Sequence, residues 1–88
     1  MRVRAARPED YEAFTALFPE LAVDDPTPSR AKWLGDLVPT TLIAEDEAGA
    51  VAGYLFYQLL SDTGYIRHVV ASPQRRRRGV GALLVQTA

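Results

Sequence analysis

The chain has 88 residues, of which 48% are apolar, and a formal net charge of −1. This length suffices for one domain with a modest core, and the apolar content is typical of a globular chain. The sequence contains no cysteine and one histidine, which excludes disulfide bonds, a cysteine nucleophile and a usual transition-metal site. It shows neither a long apolar run nor a signal-peptide pattern, so cytoplasm is the expected compartment.

Charge is unevenly distributed along the chain. Residues 1–62 carry eleven acids and five bases, a net charge of −6, whereas residues 63–88 carry five arginines and no acid. A basic end of this kind favours a polyanionic ligand, with a solvated charge run as the alternative. Nucleic acid is disfavoured as that ligand, because the four consecutive arginines at 75–78 are compact and lack interleaved aromatic residues.

One short strand and two helices are predicted in the first 40 residues. Residues 1–6 alternate basic and apolar side chains, as a strand does. Residues 7–10 predict a helix start, since proline fits the first turn and acids complement the helix dipole. Its apolar stripe is Ala13, Phe14, Leu17 and Phe18. A second helix is expected from Thr27-Pro28 to about Leu37, with Trp33 at its edge and an inward face of Ala31, Leu34, Leu37 and Val38.

Three strand-like runs follow at residues 41–46, 51–60 and 65–71, and the short connections between them predict antiparallel hairpins. Gly53 marks either a bulge or close packing within the second run. After a basic loop, Val80, Leu83 and Leu84 have the spacing of one helix face. The predicted order is β-α-α-β-β-β-α, an α+β fold with a mainly antiparallel sheet, in one domain over residues 1–88.

The turn before the last helix carries the clearest functional signal, Arg76-x-x-Gly79-x-Gly81. Glycines let a ligand approach the backbone, and a helix start offers unpaired N–H groups and a positive dipole end. Neighbouring arginines add charge for phosphates. The string is not a P-loop, and Leu84 stands where a dinucleotide fingerprint needs its third glycine. A phosphate-bearing ligand is therefore predicted at this turn.

This string resembles the pyrophosphate-binding motif of the GCN5-related N-acetyltransferases, the GNAT superfamily, in the loop after the fourth strand. The opening strand followed by Arg-Pro-x-Asp is also similar to that family. The resemblance implies acetyl-coenzyme A as co-substrate, and a chain truncated after the third helix, roughly the N-terminal half of a domain. It implies cofactor contacts from the main chain of Val69, Val70 and Ala71, and from Arg76, Arg77, Arg78, Gly79, Val80, Gly81 and Ala82.

Acetyl transfer to an amine also needs a general base and a general acid. Many GNAT proteins use a carboxylate on or near the fourth strand, and this strand has none. His68 is a candidate base because imidazole titrates near neutral pH, with a structural role as the alternative. Glu45 is a weaker candidate, since acids at strand ends are usually solvated. The family's usual acid, a tyrosine on the fourth helix, would lie beyond residue 88.

The sequence thus predicts an acetyl-CoA-dependent N-acetyltransferase, present as its cofactor-binding half, that acts on a small-molecule or peptide amine. The alternative is a non-catalytic acyl-CoA-binding or regulatory module of the same fold. No metal, nucleic acid or membrane partner is expected. Because strand 65–71 would lack its next neighbour, it is expected to pair with another copy, as a dimer or a swapped dimer, and the 88-residue species is expected to be inactive alone.

Overall fold

A four-stranded antiparallel sheet forms the centre of the computed structural model, which describes residues 1–21, 24, 26–60, 63–73 and 79–87. Neighbours in the sheet are also neighbours in the sequence, so each connection between the last three strands is a hairpin. The strands are β1 (Arg2–Ala5), β2 (Thr41–Glu45), β3 (Val51–Leu60) and β4 (Thr63–Ala71). The predicted α+β class and antiparallel sheet are confirmed, and β4 lies at one edge.

Helices cover both faces of the sheet. The helices are α1 (Tyr11–Leu17), α2 (Arg30–Lys32) and α3 (Val80–Thr87). A 3-10 turn precedes α1 and another follows it, while α2 continues into a π-helical turn, Trp33–Leu37, and a 3-10 turn, Val38–Thr40. Helix α1 and the π-helical turn after α2 pack on one face, and α3 packs on the other. Among the described residues, no helix is long and apolar enough to cross a membrane.

Aromatic rings fill the core between the sheet and α1. Phe14 stacks on Trp33 with ring centroids 4.7 Å apart and lies 5.1 Å from the ring of Tyr54. The indole N–H of Trp33 donates to the carbonyl of Pro8 at 3.1 Å, which satisfies its one polar group. Trp33 is fully buried, so its predicted place at the edge of the helix is wrong.

The predicted inward face of the second helix is also partly wrong. Leu34 is 45% exposed and Ala31 is exposed, whereas Leu37 is buried as predicted. The cause is the π-helical turn, which spaces residues differently from the 3.6-residue repeat used for the prediction. The helix also starts later than expected, because Ser29 rather than Thr27 caps it: the Ser29 hydroxyl accepts from the Lys32 amide at 3.2 Å.

Small residues on the other face let α3 approach the sheet closely. Val80 and Leu84 are fully buried against Ala44 and Ala52. A Cβ placed on Gly53 would lie 2.5 Å from the carbonyl oxygen of Val70 and 2.8 Å from Val80 Cγ1. The prediction of close packing at Gly53 is therefore confirmed. The sheet register also shifts beside it, between Ala44 and Glu45.

Ion pairs join β1 to the start of the first helix. The guanidinium of Arg4 donates to both carboxylate oxygens of Asp10 at 2.9 Å, and the Asp10 carboxylate also accepts from the Arg7 amide at 2.7 Å. Burial would raise the pKa of Asp10, but these hydrogen bonds outweigh it and hold the pKa below its usual value. Asp10 therefore stabilises the chain turn between β1 and α1 as an ionised group.

Candidate cofactor and acceptor site

Helix α3 begins with the geometry of an anion site. Gly79, just before it, has a φ of +73°, a left-handed conformation that favours glycine. The amide of Leu83 donates to the Gly79 carbonyl at 3.0 Å, which closes the first turn. The first N–H groups of a helix have no acceptor within the helix. In α3 they are the N–H groups of Val80, Gly81 and Ala82. Their N–H groups and the helix dipole suit a phosphate.

The arginine part of the predicted motif cannot be placed in the same way. Arg76, Arg77 and Arg78 lie outside the described residues. Their contacts with coenzyme A, like those of the amides at the start of α3, stay a prediction.

The start of α3 lies beside the last residues of β4. A Cβ on Gly81 would be 3.6 Å from Val69 Cγ1. Val80 packs against Gly53, the residue of β3 that pairs with Ala71 of β4. Val70 points away from α3 into the aromatic core. Among the described strands, β4 pairs with β3 alone, so the main chain of Val69 to Ala71 is free of another strand along its outer edge. An extended ligand arm can pair with such an edge.

A cavity of about 930 Å³ opens on the opposite face of the sheet, between α1, α2 and β4. Its wall combines aromatic rings with polar and charged groups, a composition that suits a small polar ligand. The lining residues are Phe14, Phe18, Pro26, Thr27, Pro28, Ser29, Lys32, Asp36, Leu37, Thr40, Phe56, Gln58, Arg67 and His68.

A bulge in β4 directs two consecutive side chains into this cavity. Phe56 pairs with His68, but the next residue, Tyr57, pairs with Ile66, so Arg67 is an extra residue on β4. In a regular strand successive side chains point to opposite faces. Here Arg67 and His68 both line the cavity, as a bulge permits. No local pattern of residues indicates this arrangement, and sequence reasoning missed Lys32, Asp36 and Arg67 as residues of the cavity wall.

His68, the predicted base, lies in the wall of the cavity. It is half-buried, with its ring 5.7 Å from Phe56 and 6.4 Å from Phe18. It precedes Ala71 by three residues, which corresponds to roughly 10 Å along a strand. His68 therefore lies on the cavity side of the same strand whose end adjoins α3. Its role as base stays a prediction.

Glu45 lies in a different environment. Its carboxylate accepts from Arg4 Nε at 2.9 Å and from Arg2, and it does not line the cavity. The hydrogen bonds from Arg4 and then from Arg2 lower the pKa of Glu45. A carboxylate held ionised by two guanidinium groups is a poor proton acceptor, which disfavours Glu45 as the base, and its catalytic role stays a prediction. No group of His, Cys, Asp and Glu side chains in the described ranges could hold a metal ion.

Residues 4–88 match the acetyltransferase (GNAT) family, and the chain belongs to this family. No curated protein matches the sequence. Among solved structures, Rv2747 from Mycobacterium tuberculosis in complex with CoA and NLQ has a TM-score of 0.82 at 26% identity, over 99% of this chain and 54% of its own. Naa20 from Chaetomium thermophilum in complex with a bisubstrate analogue has a TM-score of 0.72 at 25% identity, over 99% of this chain and 53% of its own.

A further similar fold is N-acetylglutamate synthase from Neisseria gonorrhoeae complexed with coenzyme A and N-acetyl-glutamate. Its TM-score is 0.81 at 22% identity, over 98% of this chain and 21% of its own. The chain thus spans about half, or less, of the length of these structures.

Proposed function

We propose that the protein is an acetyl-CoA-dependent N-acetyltransferase that modifies a primary amine. The observation that carries the proposal is the position of β4. One end of this strand adjoins the amide-rich start of α3, and its bulge directs His68 into a cavity on the other face of the sheet. A cofactor bound along the β4 edge would have its phosphates at α3 and its acetyl group beside the cavity. Family membership and the CoA-bound similar structures support coenzyme A as the ligand.

The chemistry assigned to the site is nucleophilic acyl transfer. The acceptor nitrogen attacks the thioester carbonyl, a C–N bond forms, and the C–S bond breaks with departure of the coenzyme A thiolate. His68 takes the proton that the amine loses, directly or through a water molecule. A main-chain N–H of β4 stabilises the negative charge on the carbonyl oxygen. The thiolate then takes a proton from solvent.

The phosphate site can be tested by placing a negative charge at the start of α3. In Gly81→Asp we expect the KM for acetyl-CoA to rise about tenfold or more, because a carboxylate repels the pyrophosphate and its side chain obstructs the backbone. Gln86→Asp is the matched control, since it adds the same charge near the other end of α3 at an exposed position. Steady-state kinetics of the full-length protein measure both. An unchanged coenzyme A affinity in Gly81→Asp would refute the site.

The proposed base can be tested by His68→Ala. We expect kcat to fall about 100-fold, a typical contribution of a positioned base, with little change in the KM for acetyl-CoA. The pH dependence of kcat is also expected to change, because the group that accepts the proton is removed. Gln58→Ala, in the same cavity wall, is the control without an ionisable group. Normal turnover with an unaltered pH profile would assign His68 to packing instead.

The second candidate function is a non-catalytic acyl-CoA-binding or regulatory module. It is favoured by the absence of a carboxylate in β4. A full-length protein that binds coenzyme A tightly but acetylates no amine in a broad panel would establish this alternative.

The cytoplasmic location, the pairing of strand 65–71 with a second copy and the inactivity of the 88-residue species stay predictions. Sedimentation at micromolar concentration tests the pairing.

A further inference from the structure

Two cationic side chains line the acceptor cavity without a carboxylate partner in the part of the chain that the structure describes. Lys32 comes from α2 and Arg67 from the bulge of β4. Among the described residues, neither forms an ion pair, whereas Arg2 and Arg4 are paired with Glu45 and Asp10. Cations left unpaired in a concave, partly aromatic wall attract an anionic group of a ligand.

The acid in the same wall does not neutralise them. Asp36 follows Lys32 by four residues, yet no ion pair joins the two. Even if formed, an exposed pair of this kind would hold Lys32 only weakly. Arg67 has no acid beside it on β4. Its planar guanidinium matches the two oxygens of a carboxylate.

We propose that the acceptor is an amine that carries a carboxylate close to its nitrogen, as an amino acid does, and that Lys32 and Arg67 bind this carboxylate. The proposal rests on the proposed function, because it names the class of amine to be acetylated. Its geometric basis is the bulge, which places Arg67 and His68 side by side in one cavity. In an α-amino acid the nitrogen is only two bonds from the carboxyl carbon. When the carboxylate binds Arg67, this nitrogen is therefore within reach of the imidazole of the neighbouring His68.

The test compares L-glutamate and L-phenylalanine with their α-carboxamides as acceptors for the full-length protein. The α-carboxamide keeps the amine and loses the α-carboxylate. Its amine also loses a proton more readily, so amine basicity alone would favour the carboxamide. We expect kcat/KM for at least one of the two acids to exceed that for its carboxamide by tenfold or more. Carboxamides acetylated as efficiently as both acids would overturn the proposal and leave the transferase function standing.

Matched variants then locate the carboxylate. Arg67→Met and Lys32→Met should each raise the KM for the preferred acid about tenfold, with kcat and the KM for acetyl-CoA little changed. The preference of acid over carboxamide should shrink by the same factor. Arg30→Met is the control, because Arg30 is two residues from Lys32 but stacks on Tyr11 and does not line the cavity. An equal KM increase in Arg30→Met would indicate a general charge effect and contradict the assignment.

A binding measurement separates this inference from the proposed function. Calorimetric titration of L-glutamate and L-phenylalanine into the coenzyme A-saturated protein needs no turnover. Binding that Arg67→Met weakens about tenfold, in a protein that acetylates nothing, would support the carboxylate site and reject the transferase. Absence of both binding and acetylation of these acids would overturn the carboxylate proposal, whatever amine is acetylated instead.

Discussion

Replacing Arg4 with methionine is expected to destabilise the fold by about 3 kcal/mol, because removal of one partner of a buried pair leaves the other charge uncompensated. The Arg4 side chain is 14% exposed and donates to Asp10, whose side chain is 7% exposed, as well as to Glu45. The hydrogen bonds with Asp10 are the largest cause of the raised pKa of Arg4. Urea unfolding at neutral pH measures the loss as a lower midpoint.

The surface partner of the same carboxylate provides the control. Arg2 also pairs with Glu45, but its side chain is 73% exposed. An exposed ion pair contributes only about 0–1 kcal/mol, so Arg2→Met should change the free energy of unfolding by no more than that. Equal losses in Arg2→Met and Arg4→Met would contradict the role assigned to Arg4.

The same ion pairs predict how stability depends on pH. The folded protein holds the pKa values of Asp10 and Glu45 below their usual values, so their stabilising contribution is present above the unfolded values, near pH 4. It is lost as the pH falls through the lower, folded values. In Arg4→Met the part of this contribution that comes from Arg4 is already missing, while the Arg7 amide still donates to Asp10 and Arg2 still pairs with Glu45. The difference in unfolding free energy between wild type and variant should therefore shrink on acidification from pH 7 toward about pH 3.

Gly53→Ala is expected to have the second large effect. The added Cβ would meet the Val70 carbonyl oxygen at 2.5 Å and Val80 Cγ1 at 2.8 Å, so either the strand pair or the first turn of α3 must move. Overpacking of this kind costs about 1–3 kcal/mol. Because Val80 begins the helix whose amides face the proposed phosphate site, the KM for acetyl-CoA should rise as well.

Gly35→Ala is the matched control for this substitution. Gly35 lies in the helical turn after α2, and a Cβ there would meet nothing within 4 Å. Alanine is the better helix former, so Gly35→Ala should be neutral or stabilising by up to about 1 kcal/mol. Thermal and urea unfolding of both variants, with acetyl-CoA kinetics, measure the contrast. A Gly53→Ala protein with wild-type stability and KM would contradict the close packing of α3 against the sheet.

Local patterns in the sequence were sufficient to predict the order of the strands and helices and the position of the turn before α3. The third strand runs over residues 51–60 as predicted, since its apolar content and flanking turns are local features. The fourth begins at Thr63 rather than residue 65. Gly79 and Gly81 were predicted as backbone positions with a special role, and Gly79 indeed has a positive φ.

Features that depend on packing between distant segments could not be read from local periodicity. Trp33 is buried because its ring stacks on Phe14 and its N–H reaches Pro8, contacts that override the helix period. Arg67 enters the cavity because the register of β4 shifts against β3 at one residue. Nothing in the sequence marks this bulge, so the cationic wall of the cavity can be recognised only once the pairing of the strands is known.

The central claim is that coenzyme A binds along the outer edge of β4 with its phosphates at the start of α3. Backbone amide NMR spectra of the isotope-labelled full-length protein, recorded with and without coenzyme A, test it directly. We expect the largest shift changes at Gly79, Val80, Gly81 and Ala82, with smaller ones at residues 69–71 and none in β1. A protein that binds no coenzyme A, or whose shift changes fall elsewhere and spare Gly79 to Ala82, would contradict the claim.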